Sequence, residues 1–314
     1  LRPMSKWART CHSAARLAEY VEIACRKALA GRPGPCVVAY PKDLLTQKVS
    51  AGVALGAKRS ATARPAPDST AVAHAATLFA GAKRPVIIAG SGAYWSGADR
   101  ALRRFSERFD VPVLMNAMGR GIVPEDHRLG WPWPVAQTAA DQADLVLWAG
   151  ARPARRLGYG LAPRFSADAS MIQIDVNGEE LSRNRPMDVP ILADVKLTIE
   201  QLHAALETSG VPRCDPGWLC EMLSDRVRMF EEKSAHETPH VNPYRIGTEL
   251  LRHIDSGTRL INDGALILAR MFGVLRFKHS GTYADTYPLG SMGMGTPLAI
   301  GSAVAEQDCA DEKD

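Results

Sequence analysis

The segment Leu289–Gly301 has the residue types that most specifically indicate chemistry in this sequence. It holds glycines that permit a close approach of the backbone to a ligand, at positions 290, 293, 295 and 301. Met292 places a bulky, pliable apolar side chain among them, next to Ser291. The pattern predicts a turn that binds a ligand, and the alternative is a packing turn that leads into a helix.

A second glycine-rich turn, Ala89–Gly97, lies between a predicted strand and a predicted helix. Backbone N–H groups in such turns can approach a phosphate at a helix N-terminus, and Gly90 would permit that approach. The spacing is not G-x-G-x-x-G, so a tight strand-to-helix turn is an equally good interpretation. The hypothesis that the protein is a NAD-dependent dehydrogenase would be supported by this turn alone, and the absence of the G-x-G-x-x-G spacing counts against it.

Two charged side chains stand where strands of a nucleotide-binding sheet commonly hold a ligand. Asp175 ends the run Ile172–Asp175, a position from which a carboxylate can bind a ribose hydroxyl or, alternatively, cap the next turn. Arg152 follows Gly150, directly after the run Leu145–Ala149, and could clamp a phosphate. A solvated arginine is the alternative, and both interpretations stay open at this point.

The elements that must position these residues alternate between strands and helices from about residue 69 to 205. A helix over 98–108 directs Leu102 and Phe105 inward, and continuous apolar runs predict strands over 86–89, 111–114, 145–149 and 171–174. Strands that are apolar throughout indicate a parallel sheet buried on both faces. The sequence therefore predicts a doubly wound, three-layer αβα central domain flanked by partial α/β domains.

The whole sequence divides into four predicted regions. They are an α/β piece over 1–45, a linker over 46–68, the central domain over 69–208, and a linker with further α/β elements over 209–314. In the last region a strand over 259–262 precedes a glycine-rich loop over 281–295. Because the first residue is not Met and an apolar stretch near the end stops in a charged tail, we expect the sequence to continue on both sides.

Composition excludes several classes of protein. The net charge of +4 is small and the arginines are scattered, which is not typical of a nucleic-acid-binding surface. No apolar run has the length of a membrane helix. The six cysteines include no C-x-x-C pair, which favours reduced thiols and a cytoplasmic location. No metal-ligand spacing, P-loop or G-x-S-x-G occurs.

Taken in order, several segments resemble the thiamine-diphosphate-dependent family that includes acetolactate synthase, oxalyl-CoA decarboxylase and 2-hydroxyacyl-CoA lyase. The resemblance covers nearly the whole sequence and is collinear. The segments that carry it are Gly31–Pro35 with Pro41–Asp43, Lys83–Gly90, Met118–His127, Gly150–Arg152, Gly160–Phe165, Ile172–Leu181, and Gly290–Gly293 with Pro297 and Gly301.

The resemblance implies a cofactor site and a role for each residue that matches. Thiamine diphosphate, with Mg²⁺, would be the cofactor. Met292 would be wedged between its two rings, and the carbonyl of Gly290 would hold its amino group. The residues near the diphosphate would be Asp263, Gly264, Ala265, Ser291 and Gly293. An ADP or FAD site in the central domain would be lined by Gly90, Gly150, Arg152 and Asp175.

The activity implied by the resemblance is cleavage or formation of a carbon–carbon bond next to a carbonyl. Substrates would be a 2-keto acid, an oxalyl thioester or a 2-hydroxyacyl-CoA, acted on by a lyase, decarboxylase or transferase that forms a homodimer or homotetramer. The family's activating glutamate and its metal-binding Gly-Asp-Gly segment are expected outside this sequence, so we expect residues 1–314 alone to be inactive. The alternative function is a non-catalytic α/β module that binds ADP or FAD.

Overall fold

The computed structural model describes residues 2–50, 63–137, 139–264, 267, 270–286 and 290–311, the last four without their side chains. The chain forms two compact units, Leu1–Pro65 and Ala66–Asp314. Much of the predicted linker over 46–68 lies outside the described residues, and the four predicted regions remain predictions.

The described residues of the first unit include two parallel strands and an α-helix between them. Strands β1 (Trp7–Thr10) and β2 (Cys36–Ala39) pair in parallel, with Trp7 opposite Cys36. Parallel strands need a crossover, which helix α1 (Leu17–Leu29) provides. The helix and the strands agree with the α/β piece that the sequence predicts over residues 1–45.

The second unit is built on a six-stranded parallel sheet with the order β5-β4-β3-β6-β7-β8. Its strands are β3 (Pro85–Ala89), β4 (Val113–Met115), β5 (Gly130–Pro132), β6 (Leu145–Ala149), β7 (Ser170–Asp175) and β8 (Val189–Leu192). From β3 the chain first adds strands on one side and then returns to add β6, β7 and β8 on the other. This is the predicted doubly wound α/β fold.

The central strands are buried on both faces, as their continuous apolar runs predict. Ile87 and Leu147 belong to one hydrophobic cluster, whereas their neighbours Ile88 and Trp148 belong to the other. This alternation follows from the two-residue period of a strand. Prolines stand at the first position of β3 and in β5 and β8, the two edge strands. These are the places in a sheet that tolerate a residue without an N–H.

Helices cover both faces of the sheet and complete three layers. One cluster includes residues of α2 (Ser69–Gly81), α3 (Ser91–Ser96), α4 (Asp99–Phe109) and α6 (Val195–Thr208). The other includes residues of α5 (Trp133–Ala136) and α7 (Gly217–Ala235). Leu102 and Phe105 of α4 are fully buried, as predicted.

A buried carboxylate begins helix α6. Asp194 accepts hydrogen bonds from the backbone N–H of Leu197 at 3.1 Å and from the hydroxyl of Ser96 at 2.9 Å. We expect Asp194→Ala to lower the free energy of unfolding by about 2 kcal/mol, because it removes a helix cap and a buried hydrogen bond. Urea unfolding measures the change. Asp194→Asn, which keeps an acceptor oxygen, is the control, and an equal loss in both variants would contradict this explanation.

The last part of the second unit contains a second pair of parallel strands. Strand β9 (Leu260–Asn262) pairs with β10 (Tyr283–Asp285), and the helices are α8 (Pro243–Leu251) and α9 (Gly295–Asp311). The prediction of a loop over 281–295 was therefore wrong at β10. A three-residue strand is too short to show a period, and it forms because Tyr283 packs against Phe272 and Phe277.

Among the described residues, no helix is both long and apolar enough to cross a membrane.

Candidate functional site

The carboxyl ends of β3, β6 and β7 form one edge of the main sheet. The strand order reverses between β3 and β6, and ligands of doubly wound sheets bind at such reversals. Gly90 follows β3, Gly150 follows β6, and Asp175 ends β7. The N–H of Gly150 donates to the carbonyl of Ile174 at 3.0 Å, and the N–H of Gly90 donates to that of Ala149 at 3.2 Å. The structure thus brings these three predicted residues together.

The glycines at this edge are required by contact between two backbone turns. Gly92 donates its N–H to the carbonyl of Gly150 at 2.9 Å. A Cβ added to Gly150 would lie 2.5 Å from the nitrogen of Ala93, and one added to Gly90 would lie 2.6 Å from the carbonyl oxygen of Gly150. These approaches are too close for any side chain. The glycines are therefore explained by packing, and a ligand is not needed to account for them.

The two charged residues at the main-sheet edge have protein partners. Arg152 forms an ion pair with Glu180 at 3.2 Å, and Arg183 reaches the same carboxylate oxygen at 3.2 Å. Asp175 accepts a hydrogen bond from the N–H of Asn177 at 2.8 Å, which is the turn-capping arrangement. Neither arrangement excludes a ligand. The nucleotide-binding roles of Arg152 and Asp175 remain predictions.

A second candidate site lies at the carboxyl ends of β9 and β10. Asp263 follows β9 and accepts a hydrogen bond from the N–H of Gly295 at 2.9 Å, at the start of α9. Its other oxygen, Oδ1, is buried and has no hydrogen-bond partner among the described residues, and the same is true of the amide nitrogen Nδ2 of the preceding Asn262. Buried polar atoms are rarely left unpaired, so these two atoms indicate a place where a polar ligand would bind.

Three glycines around these unpaired atoms have backbone conformations that L side chains rarely adopt. Gly264, Gly290 and Gly293 have φ values of 87°, 68° and 82°. In contrast to the main-sheet glycines, a Cβ added to any of them would meet no described atom within 4 Å. The described residues therefore leave the space beside these turns open.

The predicted residues of the Leu289–Gly301 segment lie on this open turn. Met292 is 86% exposed, and Ser291 is exposed beside it. The N–H of Gly290 donates to the carbonyl of Thr286 at 2.8 Å, which closes the turn onto the end of β10. Ala265, a predicted diphosphate contact, lies outside the described residues. A large, almost uncovered apolar side chain between two glycines is what the predicted role of Met292 requires.

The sequence did not reveal a buried cluster of charged and aromatic residues between these two edges. Arg120, in the loop after β4, forms a two-pronged ion pair with Glu125 at 2.8 and 2.7 Å. It also donates to the carbonyl of Leu275 at 2.8 Å, and its guanidinium lies 4.7 Å from the ring centre of Phe277. Burial alone would lower the pKa of Arg120, but Glu125 more than offsets this effect, so that pKa lies above its ordinary value.

A second arginine of this cluster reaches the end of β10. Arg156 forms an ion pair with Asp285 at 3.0 Å, and the hydroxyl of Tyr283 donates to the same carboxylate oxygen at 2.9 Å. Burial, followed by the nearby Asp285 charge, raises the pKa of Tyr283, so the phenol stays protonated as a donor. The segment Met118–His127, which includes Arg120 and Glu125, was noted in the sequence, but it does not indicate these distant partners.

Within the described residues, no group of three or more His, Cys, Asp or Glu side chains could hold a metal ion. The open glycine turns have an amide donor beside them at Asn262 and a carboxylate acceptor at Asp263. The amide donor and the open glycine turns fit a polar ligand that bears a phosphate group.

The six-stranded parallel sheet defines a doubly wound α/β protein, a class whose ligands bind at the carboxyl ends of the strands. Residues 72–202 match the model of the family described as thiamine pyrophosphate enzyme, central domain. The chain is 28% identical to mouse 2-hydroxyacyl-CoA lyase 1 over 297 residues, covering 92% of this chain and 50% of that protein. It is 30% identical to Escherichia coli (strain K12) oxalyl-CoA decarboxylase over 291 residues, covering 90% of this chain and 51% of the decarboxylase.

Residues 72–202 therefore belong to the thiamine pyrophosphate enzyme family as its central domain, and the similarity to enzymes of this family extends over about nine tenths of the chain. The chain spans about half the length of the curated relatives it matches. An X-ray structure from Mycobacterium smegmatis, provisionally described as a thiamin diphosphate-dependent enzyme, has the same fold. Its TM-score is 0.79 at 23% identity, with 98% of this chain and 58% of that chain covered.

Proposed function

We propose that this chain contributes one wall of the active site of a thiamine-diphosphate-dependent enzyme. The observation that carries the proposal is a pair of buried atoms, Asn262 Nδ2 and Asp263 Oδ1, which have no hydrogen-bond partner within the described part of the chain. They lie beside glycine turns where the described residues leave open space. Family membership names the cofactor that such a turn would hold. The relatives include lyases, decarboxylases and acetolactate synthases.

Each residue of the turn has a separate part in this proposal. The amide of Asn262 and the backbone N–H groups near Gly264 would bind diphosphate oxygens. The carbonyl of Gly290 would hold the cofactor's amino group, and Met292 would press between its rings. When bound, thiamine diphosphate supplies an electron sink for the bond that breaks or forms next to a carbonyl. The protein's contribution is to orient the cofactor and to exclude water from it.

The proposed reaction is cleavage, decarboxylation or ligation at the carbon next to a carbonyl. The substrate would be a 2-keto acid, an oxalyl thioester or a 2-hydroxyacyl-CoA. We include Mg²⁺ in the proposal because a diphosphate needs a cation to neutralise its charge. A homodimer or homotetramer in the cytoplasm belongs to the same proposal, and the five described cysteines, all free thiols, are compatible with that location.

The ADP or FAD predicted for the main-sheet edge has weaker support. Position favours it, because Gly150, Arg152 and Asp175 stand at the strand reversal. Against it, Arg152 is paired with Glu180, and the described side chains of this edge include no buried nitrogen or oxygen without a partner. Titration with ADP and with FAD tests the point, and binding of neither would contradict it.

The protein at its natural full length provides the main test. Thiamine diphosphate with Mg²⁺ is titrated in a calorimeter, and turnover is then measured with pyruvate, oxalyl-CoA and a 2-hydroxyacyl-CoA. Saturable binding and turnover of one substrate class are expected. Absence of thiamine diphosphate binding would overturn the proposal, and cofactor binding without turnover would leave only a binding module.

Met292→Ala tests the proposed contact with the cofactor rings. We expect the dissociation constant for thiamine diphosphate to rise about tenfold, because the variant loses most of an apolar side chain that the cofactor would bury. Stability should not change, because Met292 is 86% exposed. Met294→Ala, two residues away in the same turn, is the matched control. Equal weakening by both variants would contradict the specific role of Met292.

A further inference from the structure

Asp285 is a buried carboxylate at the end of β10. This strand leads to the turn over residues 290–295, which we call the cofactor turn. The Asp285 side chain is 2% exposed and lies 3.0 Å from a guanidinium nitrogen of Arg156. In the ladder of the small sheet, Asp285 stands directly opposite Asn262. It is therefore next to the residue whose amide nitrogen is buried and unpaired.

Arg156 comes from the other side of this cluster. It belongs to the loop that follows β6, the same loop that carries Arg152 at the main-sheet edge. Its guanidinium lies 4.5 Å from the ring centre of Phe272, which fixes its orientation from one side. The ion pair between Arg156 and Asp285 thus connects the edge of the main sheet to the edge of the small sheet.

A short series of contacts continues from this ion pair into the turn. Thr286 follows Asp285 directly, and its carbonyl accepts the hydrogen bond from the N–H of Gly290. Asp285 is therefore joined to Gly290 through one peptide bond and one backbone hydrogen bond.

We propose that Arg156 and Asp285 are positioning residues for the cofactor turn, an inference that rests on the proposed function. They hold the carboxyl end of β10 at a fixed distance from the main sheet. Gly290 and Asn262 would then stay at a constant distance from the bound cofactor. An ion pair suits this task because it fixes geometry, although it adds little net stability when buried. The neighbouring Arg120–Glu125 pair already holds Leu275 and Phe277 to the main sheet.

The test separates positioning from mere stability. Asp285→Asn in the protein at its natural full length removes the charge and keeps an acceptor for Tyr283. We expect the dissociation constant for thiamine diphosphate to rise about tenfold to a hundredfold, as when an outer partner of a binding group is lost. Glu207→Gln, which breaks an exposed pair between α4 and α6, is the control and should bind the cofactor as the wild type does.

The double variant Arg156→Met, Asp285→Leu provides the second measurement. Two apolar side chains in place of a buried ion pair can restore stability, which urea unfolding measures. Cofactor affinity should nevertheless remain weak, because the fixed separation is lost. Wild-type affinity in Asp285→Asn, or in a stable double variant, would overturn the inference. If the wild-type protein itself bound no thiamine diphosphate, the proposed function would fail first, and the inference with it.

Discussion

Replacing Arg120 by methionine is expected to lower the free energy of unfolding by about 3–5 kcal/mol. The side chains of Arg120 and Glu125 are 2% and 0% exposed, so the variant leaves a carboxylate buried without its counter-charge. The arginine also crosses to the carbonyl of Leu275, and this contact is lost too. Urea unfolding, followed by tryptophan fluorescence, measures the effect.

Two comparisons show whether burial is the cause. Arg103→Met breaks an exposed pair within α4, between Arg103 and Glu107, and should cost less than about 0.5 kcal/mol. Arg120→Met combined with Glu125→Gln should recover part of the loss, because no charge is then left unpaired. A cost for Arg120→Met as small as that of the exposed pair would show that the buried pair does not hold these segments together.

Substituting alanine for Gly150 is expected to cost about 3 kcal/mol or more, and to weaken the fold at the main-sheet edge. The residue has a φ of 57°, which costs an L side chain roughly 1–2 kcal/mol. In addition, the new Cβ would lie 2.5 Å from the backbone nitrogen of Ala93, a contact that rigid backbone cannot relieve cheaply. The measurement is again urea unfolding.

Gly97→Ala is the matched control for this effect. Gly97 has a φ of 65°, close to that of Gly150, but a Cβ there would meet nothing within 4 Å. We expect it to cost only the conformational part, about 1 kcal/mol. If the two variants lost equal stability, close packing of the turns would not be the reason for glycine at position 150. The difference between them therefore measures the contact itself, without any bound nucleotide.

The Arg120 and Gly150 variants both alter the part of the fold that supports the proposed cofactor turn. Gly150 keeps the two main-sheet turns in contact, and Arg120 attaches the loop after β4 to the segment that precedes β10. Loss of either contact should therefore weaken cofactor binding only through loss of folded protein. Met292→Ala is expected to do the opposite, because it changes affinity and leaves stability unchanged. Asp285→Asn breaks a buried ion pair and costs stability as well, so the stable double variant Arg156→Met, Asp285→Leu separates its effect on affinity from that loss.

The sequence predicted the main sheet because its strands are buried on both faces. Continuous apolar runs such as Leu145–Ala149 are local signals, and the observed strand has the same bounds. Edge strands carry a weaker signal, since only one face is buried. In β8, Val189 and Ile191 are buried while Leu192 is 55% exposed. Continuous apolar runs accordingly predicted the four central strands, but no such run predicted β5 or β8.

What the sequence by itself determined was the fold class, the family and the glycine turn with Met292, because periodicity, composition and short motifs are local properties. Only the tertiary structure decided which polar groups meet. Arg120 finds Leu275 155 residues away, and Arg156 finds Asp285 129 residues away. It also decided that the glycines near 90 and 150 face backbone, whereas those at 290 and 293 face open space. Such contacts depend on how distant segments pack, and no local pattern encodes the partner.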